Sequence, residues 1–211
     1  PILGFDAEAP PTSFGEGLQV EFVAEALSEA AIAPGALSVA DLDADERPDV
    51  AWIDAASGSL RAQLSSRHGT QVLGTGAVGA HGLRAVDLDN DGLLDLLAWG
   101  EGGLRFWRGE PGGAFSDATA AMGLEAEGSA AVVLDFDIEG DLDLVVAGCM
   151  KQPRLYRNNL AGKMEELGVE SLPELPTAHV RQVLAADLDR DGDLDLLAAH
   201  DRGLSFYENL R

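Results

Sequence analysis

The chain has 211 residues, 46% of them apolar, enough for one large or two small domains with a sizeable core. Its 37 acids against 14 bases give a net charge of −23, which excludes a general electrostatic attraction to nucleic acid or to an anionic membrane. Apolar residues fall in patterned runs, so disorder does not account for the acidity; many acids gather in loops, and adaptation to high salt stands as the bland alternative.

Residues 1–17 are rich in proline, glycine and acid and read as an irregular lead-in to a domain covering 18–211. Leu18–Val23 alternates apolar and polar residues and predicts a single strand. Ala24–Ala33 suits a helical turn that Pro34-Gly35 ends. The chain opens on Pro1 rather than Met, which reads as trimmed from something longer. No signal peptide is visible, and no apolar run approaches the roughly 18 residues of a membrane span. Cys149 is alone, so no disulfide framework exists within the chain, and its apolar neighbours predict a buried thiol.

From Ala36 the sequence repeats. Ala36–Ala40 enters Asp41-Leu-Asp-Ala-Asp-Glu-Arg-Pro-Asp49 and leaves through Val50–Ile53; Leu83–Val86 enters Asp87-Leu-Asp-Asn-Asp-Gly-Leu-Leu-Asp95 and leaves through Leu96–Trp99. Ala130–Leu134 enters Asp135-Phe-Asp-Ile-Glu-Gly-Asp-Leu-Asp143, and Val180–Leu184 leads to Asp187-Leu-Asp-Arg-Asp-Gly-Asp-Leu-Asp195. First acids recur after 46, 48 and 52 residues, a period that means a solenoid or a propeller. A third strand follows in each unit (Leu60–Leu64, Leu104–Trp107, Arg154–Arg157, Leu204–Tyr207), and a weaker fourth in the first three, near Gln71–Leu73, Ala114–Asp117 and Lys163–Glu166. Four short strands per period are the layout of a propeller blade. The expected fold is therefore an all-β propeller with four visible blades. Leu18–Val23 can supply the fourth unit's missing outer strand and close a four-bladed ring; the alternative is a four-blade piece of a larger ring.

Each loop crowds carboxylates that no apolar core tolerates. At an effective dielectric near 20, two unit charges about 4 Å apart repel by roughly 4 kcal/mol, so a cation belongs among them. Alternating acids with a glycine turn and all-oxygen donors point to calcium. The pattern Asp-x-Asp-x-Asp/Asn-Gly-x-x-Asp between apolar strands resembles the FG-GAP or VCBS propeller repeats of integrin α-subunit heads and bacterial surface proteins. Arg154–Asn159 and Gly113–Leu124 are similar to the bacterial branch related to cartilage acidic protein. The resemblance implies side-chain ligands at the first, third, fifth and ninth places and a backbone carbonyl at the seventh. It thus implies Asp41, Asp43, Asp45, Asp49 and the carbonyl of Arg47; Asp87, Asp89, Asp91, Asp95 and that of Leu93; Asp135, Asp137, Glu139, Asp143 and that of Asp141; and Asp187, Asp189, Asp191, Asp195 and that of Asp193. Up to four structural calcium ions follow. Glu46 replaces the turn glycine and Pro48 precedes the last acid, which marks the first site as the weaker one; Glu139 is longer than the usual fifth ligand. The integrin Phe-Gly…Gly-Ala-Pro signature is absent, so integrin-style partner binding is not implied.

Competing motifs fail on context. An EF-hand needs an acid at the twelfth place and flanking helices, but Trp52, Ala98, Val146 and Ala198 stand there between strands. Gly74-Thr-Gly-Ala-Val-Gly79 matches a dinucleotide-binding pattern yet runs into another loop strand, and reads as a link between blades. His68, His81, His179 and His200 lack paired ligand spacing and sit near strand ends. No Gly-x-Ser-x-Gly elbow exists, and Cys149 has no neighbouring base in sequence. The one-residue offset between Trp52 and Trp99 puts them on opposite sheet faces, which favours packing over sugar stacking. The expectation is a calcium-stabilised, non-enzymatic scaffold for protein interaction or adhesion, extracellular, periplasmic or on a bacterial cell surface, with a lectin-like propeller as the alternative. Its partner is then a protein or a glycan, with no nucleic acid and no membrane insertion.

Overall fold

The structure, a computed structural model, describes residues 31–148, 151–168 and 179–210. It is an all-β propeller of four antiparallel blades. Blade 1 comprises β1 (Ile32–Ala40), β2 (Asp49–Asp54), β3 (Leu60–Gln63) and β4 (Gln71–Gly74), paired in chain order. Blade 2 comprises β5 (Ala80–Val86), β6 (Asp95–Gly100), β7 (Arg105–Glu110) and β8 (Ala114–Asp117), followed by a one-turn helix α1 (Thr119–Met122). Blade 3 comprises β9 (Ala130–Leu134), β10 (Asp143–Gly148), β11 (Lys151–Arg157) and β12 (Glu165–Leu167). Blade 4 has three strands among the described residues, β13 (Val180–Ala186), β14 (Asp195–His200) and β15 (Gly203–Tyr207).

Each acidic loop joins the first strand of a blade to the second, and the register is the same in all four. Ala40 pairs with Asp49, Val86 with Asp95, Leu134 with Asp143 and Ala186 with Asp195. The pleat then sends alternate side chains to opposite faces, and each face meets a neighbouring blade. Leu42, Ala51 and Ile53 of blade 1 pack with Leu83, Leu96 and Ala98 of blade 2. Leu88, Leu97 and Phe106 of blade 2 pack with Leu144, Val146 and Tyr156 of blade 3. Leu134, Val145 and Leu155 of blade 3 pack with Val183, Leu196 and Ala198 of blade 4. Among the described residues the core is thus a series of seams rather than one centre, as expected of a repeat that buries its faces against its neighbours.

The helical turn expected up to Ala33 does not extend that far, because β1 already begins at Ile32. Pro34-Gly35 lies where the β1–β2 register shifts, inside the strand. Gly35 takes φ +74 there, and a Cβ would stand 2.5 Å from the His81 carbonyl oxygen, so the bulge requires glycine. Trp52 and Trp99 take opposite faces as expected: Trp52 is buried beside Ala51 and Ile53, which point the other way, and Trp99 packs in the seam between blades 2 and 3. The glycine-rich stretch 74–79 links β4 to β5. The strand Leu18–Val23, the lead-in 1–17 and Cys149 lie outside the described residues. Among the described residues, no helix is long and apolar enough to cross a membrane.

Candidate metal centres

The ninth acid is the anchor of every loop. Asp49, Asp95, Asp143 and Asp195 are each 0% exposed. In each, one carboxylate oxygen accepts the backbone N–H of the loop's second residue: Leu42 at 2.8 Å, Leu88 at 2.9 Å, Phe136 at 3.1 Å and Leu188 at 2.9 Å. The other accepts an N–H just after or near the end of the third strand: Ser65 at 2.6 Å, Gly109 at 2.8 Å, Asn158 at 2.8 Å and Asn209 at 3.0 Å. One side chain therefore clips the loop to the third strand of its own blade. Charge-assisted hydrogen bonds of this kind are roughly twice as strong as neutral ones.

The first acid folds the turn. Asp41, Asp87 and Asp135 each accept two backbone N–H groups, from the fifth and sixth residues of their loops. That curl needs a left-handed backbone at two places. The sixth is glycine in three loops (Gly92, Gly140, Gly192) and Glu46 at φ 67 in the first. The fourth is left-handed in every loop, at Ala44, Asn90, Ile138 and Arg190. For the β-branched Ile138, at φ 58, this is a strained conformation.

Carboxylate oxygens converge once in each blade. Asp87, Asp89 and Asp95 bring one oxygen apiece within 4.8 Å of one another, as do Asp135, Asp137 and Asp143, and Asp187, Asp189 and Asp195. In the first loop the converging set is Asp41, Asp43 and Asp45, without Asp49. Four acidic triads, one per blade, can thus hold a cation. The fifth-place acids Asp91, Glu139 and Asp191 stand outside the triads. Among the seventh-place residues, Leu93 and Asp193 donate their N–H to Asp91 and Asp191, while the Arg47 guanidinium grips Asp45 at 2.5 and 3.0 Å. That guanidinium holds the Asp45 carboxyl below the usual carboxylate range.

The donor set fits a hard divalent ion. Asp43 Oδ1, Asp89 Oδ1 and Asp141 Oδ1 are buried oxygens with no hydrogen-bond donor, and a buried acceptor left so costs about 1–3 kcal/mol. Burial also pushes Asp95 and Asp143 up to about 6, against the N–H bonds that pull them down. At Asp195 the N–H groups of Asn209 and Leu188 outweigh burial, and its carboxyl lies below the usual range. A cation among the oxygens would favour the charged form at all of these places.

Two asparagines escaped the sequence reading. Asn158 Nδ2 donates to the Leu88 carbonyl of blade 2 at 2.6 Å, and Asn209 Nδ2 to the Phe136 carbonyl of blade 3 at 3.0 Å. Each ties a blade to the loop of the one before it. The signal was an Asn shortly after a third strand in two of four repeats. Of the histidines, His81 and His179 line one cavity of about 430 Å³ with Ser129, Arg181 and Asp201. His200 shares a 2.9 Å hydrogen bond with Ser205 Oγ, and His68 is exposed.

Repeated antiparallel blades, each carrying an acidic loop between its first two strands, define a propeller whose loops can hold a cation. Residues 41–98, 87–146 and 135–198 each match the model of the FG-GAP-like repeat. The chain belongs to the FG-GAP-like repeat family. No curated protein sequence matches it. Among solved structures it is similar to an Agrocybe aegerita lectin described as recognising non-reducing terminal N-acetylglucosamine (18% identity, TM-score 0.54, covering 82% of this chain and 48% of the lectin). It is also similar to BBS1N, solved in complex with ARL6DN (15% identity, TM-score 0.53, covering 85% of this chain and 55% of that one). The chain thus spans about half the length of either, and at these identities the likeness is one of fold.

Proposed function

We propose that the protein is a calcium-stabilised, non-enzymatic scaffold for protein interaction or adhesion outside the cytoplasm. The observation that carries this is the convergence of three carboxylates in each loop, with Asp43 Oδ1 and Asp89 Oδ1 in two of the triads buried without a donor. A hard, oxygen-seeking ion supplies the missing partner, and calcium tolerates the irregular, all-oxygen sphere that four different loops provide. Asp87, Asp89 and Asp95 hold it in blade 2, with equivalent sets in blades 3 and 4. The first loop relies on Asp41, Asp43 and Asp45 and is the weakest site, because Arg47 already occupies Asp45. The fifth-place acids and the seventh-place carbonyls complete the ligand sets that the family pattern gives. An ion bound by the folded state alone stabilises it by mass action. Affinities of about 10⁻⁴–10⁻³ M, common in extracellular modules, suit a location where calcium is abundant. Native mass spectrometry with titrated calcium tests the reading: three ions bound in the low millimolar range and a fourth only at higher concentration support it, and a protein that stays calcium-free overturns it.

A second reading, glycan binding, draws support from the fold shared with the Agrocybe aegerita lectin. A groove of about 650 Å³ beside α1, lined by Leu104, Arg105, Asp117, Thr119 and Glu125, offers apolar surface and polar groups of the kind a sugar uses. A glycan array decides between them: selective binding lost in Arg105→Ala supports the lectin, and a blank array leaves the protein scaffold.

A further inference from the structure

The residue just before the clip to the ninth acid differs in every blade. Ser65, Gly109, Asn158 and Asn209 give that acid their N–H groups, and Leu64, Arg108, Arg157 and Glu208 precede them. The clip pins this place beside the loop whatever residue fills it. In blade 1 it holds a buried, uncharged Leu64. In blade 2 the side chain reaches the candidate ligands: Arg108 Nε lies 2.6 Å from Asp89 Oδ2, and Asp89 belongs to the triad with Asp87 and Asp95. The Nε–H is not aimed at an acceptor, so the contact is one of charge rather than a formed hydrogen bond. The other oxygen, Asp89 Oδ1, is buried without a donor. In blade 3 Arg157 lines a cavity with Asp137 and Glu139, but its Nη2 is held by Glu165 at 2.6 Å. In blade 4 the place carries an exposed acid, Glu208.

We infer that Arg108 is a resident counter-ion of the second loop, which an incoming cation must displace, and that the charge at this place grades the sites. The inference rests on the calcium reading above and names what sets affinity within it. Without a bound cation, the guanidinium offsets part of the repulsion among the three carboxylates. When a divalent ion enters, two positive charges compete for Asp89, and the arginine must swing away or stay at a cost in affinity. Blade 3 is spared most of this because Glu165 neutralises Arg157, and blade 4 adds negative charge instead. Among the three loops whose triads include the ninth acid, calcium should therefore fill blade 4 before blade 3, and blade 3 before blade 2. Arg108 keeps 36% of its side chain exposed, and solvent screening holds its effect to about tenfold in affinity.

Calorimetric titration of the chelator-stripped chain with calcium, alongside native mass spectrometry to count the ions, tests this. Arg108→Gln should move one binding event to about tenfold lower calcium and leave the others within about twofold. It should also lower the melting temperature of the calcium-free protein while enlarging the rise that calcium produces, opposite signs that a mere loss of packing does not give. Arg108→Lys keeps the charge and should stay within about twofold of wild type, whereas Glu208→Arg should weaken one event by about tenfold. In an Asp89→Asn background, Arg108→Gln should shift nothing. A wild-type chain that binds no calcium sinks the calcium reading and this inference with it. If wild type binds calcium but Arg108→Gln leaves every event in place, moves all of them equally, or still moves one in the Asp89→Asn background, the calcium reading stands and the counter-ion role is overturned.

Discussion

The first and second acidic loops share a scaffold and differ in what they do with their charge. In both, the ninth acid is buried and takes two backbone N–H groups, and in both the first acid curls the turn. The second loop gathers Asp87, Asp89 and Asp95 and turns on Gly92; the first gathers Asp41, Asp43 and Asp45 and turns on Glu46. The first also neutralises itself, since Arg47 pairs with Asp45, and Ser66 donates to Asp43. The second has an ion pair from outside its loop, Arg108 to Asp89 at 2.6 Å. Holding the strands together and gathering oxygens for a cation are thus separable tasks: the ninth acid serves the first in both loops and joins the converging triad only in loop two.

The largest test of that division is removal of the ion. Chelation should lower the melting temperature by on the order of 10 °C, because each loop regains its self-repulsion and loses the stabilisation of mass action; differential scanning calorimetry with and without EDTA measures it. Next, Asp49→Ala and Asp95→Ala should each cost about 2–5 kcal/mol in the chelated protein, since either strands two buried N–H groups. Only Asp95→Ala should also lower the number of calcium ions counted by native mass spectrometry, so equal loss of ions in both variants breaks the comparison. Arg47→Ala should strengthen the first site without touching the others, seen in calorimetric titration as a fourth binding event moving to lower calcium. The smallest effects are conformational. Glu46→Gly and Ile138→Gly each relieve a left-handed backbone and should gain about 1 kcal/mol or less by urea denaturation.

The strand layout was legible because the apolar runs and the acid spacing repeat together. β8 falls on the expected Ala114–Asp117, and β4 and β12 lie within two residues of their expected places. The parts that escaped depend on backbone shape or on other blades. No residue type marks the fourth loop position, where Ala, Asn, Ile and Arg all turn left-handed because the curl around the first acid imposes it. The start of β1 at Ile32 is a tertiary effect: β1 lies against β5 in the seam between blades 1 and 2. Helix α1 has only four residues, too short to leave an apolar period in sequence. The triads show why ligand sets are harder to read than loops: the motif lists five places, and which oxygens converge depends on side-chain direction, which differs in the first loop.

The clip formed by the ninth acid has a consequence for how the protein is made. Its two N–H partners lie 7 residues before and 14–16 residues after it, and among the described residues strand pairing runs between sequence neighbours within a blade. Every blade can therefore close its own ladder from a short length of chain before meeting the next. Contacts this local favour rapid folding, and in a chain emerging from the ribosome they permit assembly one blade at a time, each finished unit offering an apolar platform on which the next can settle.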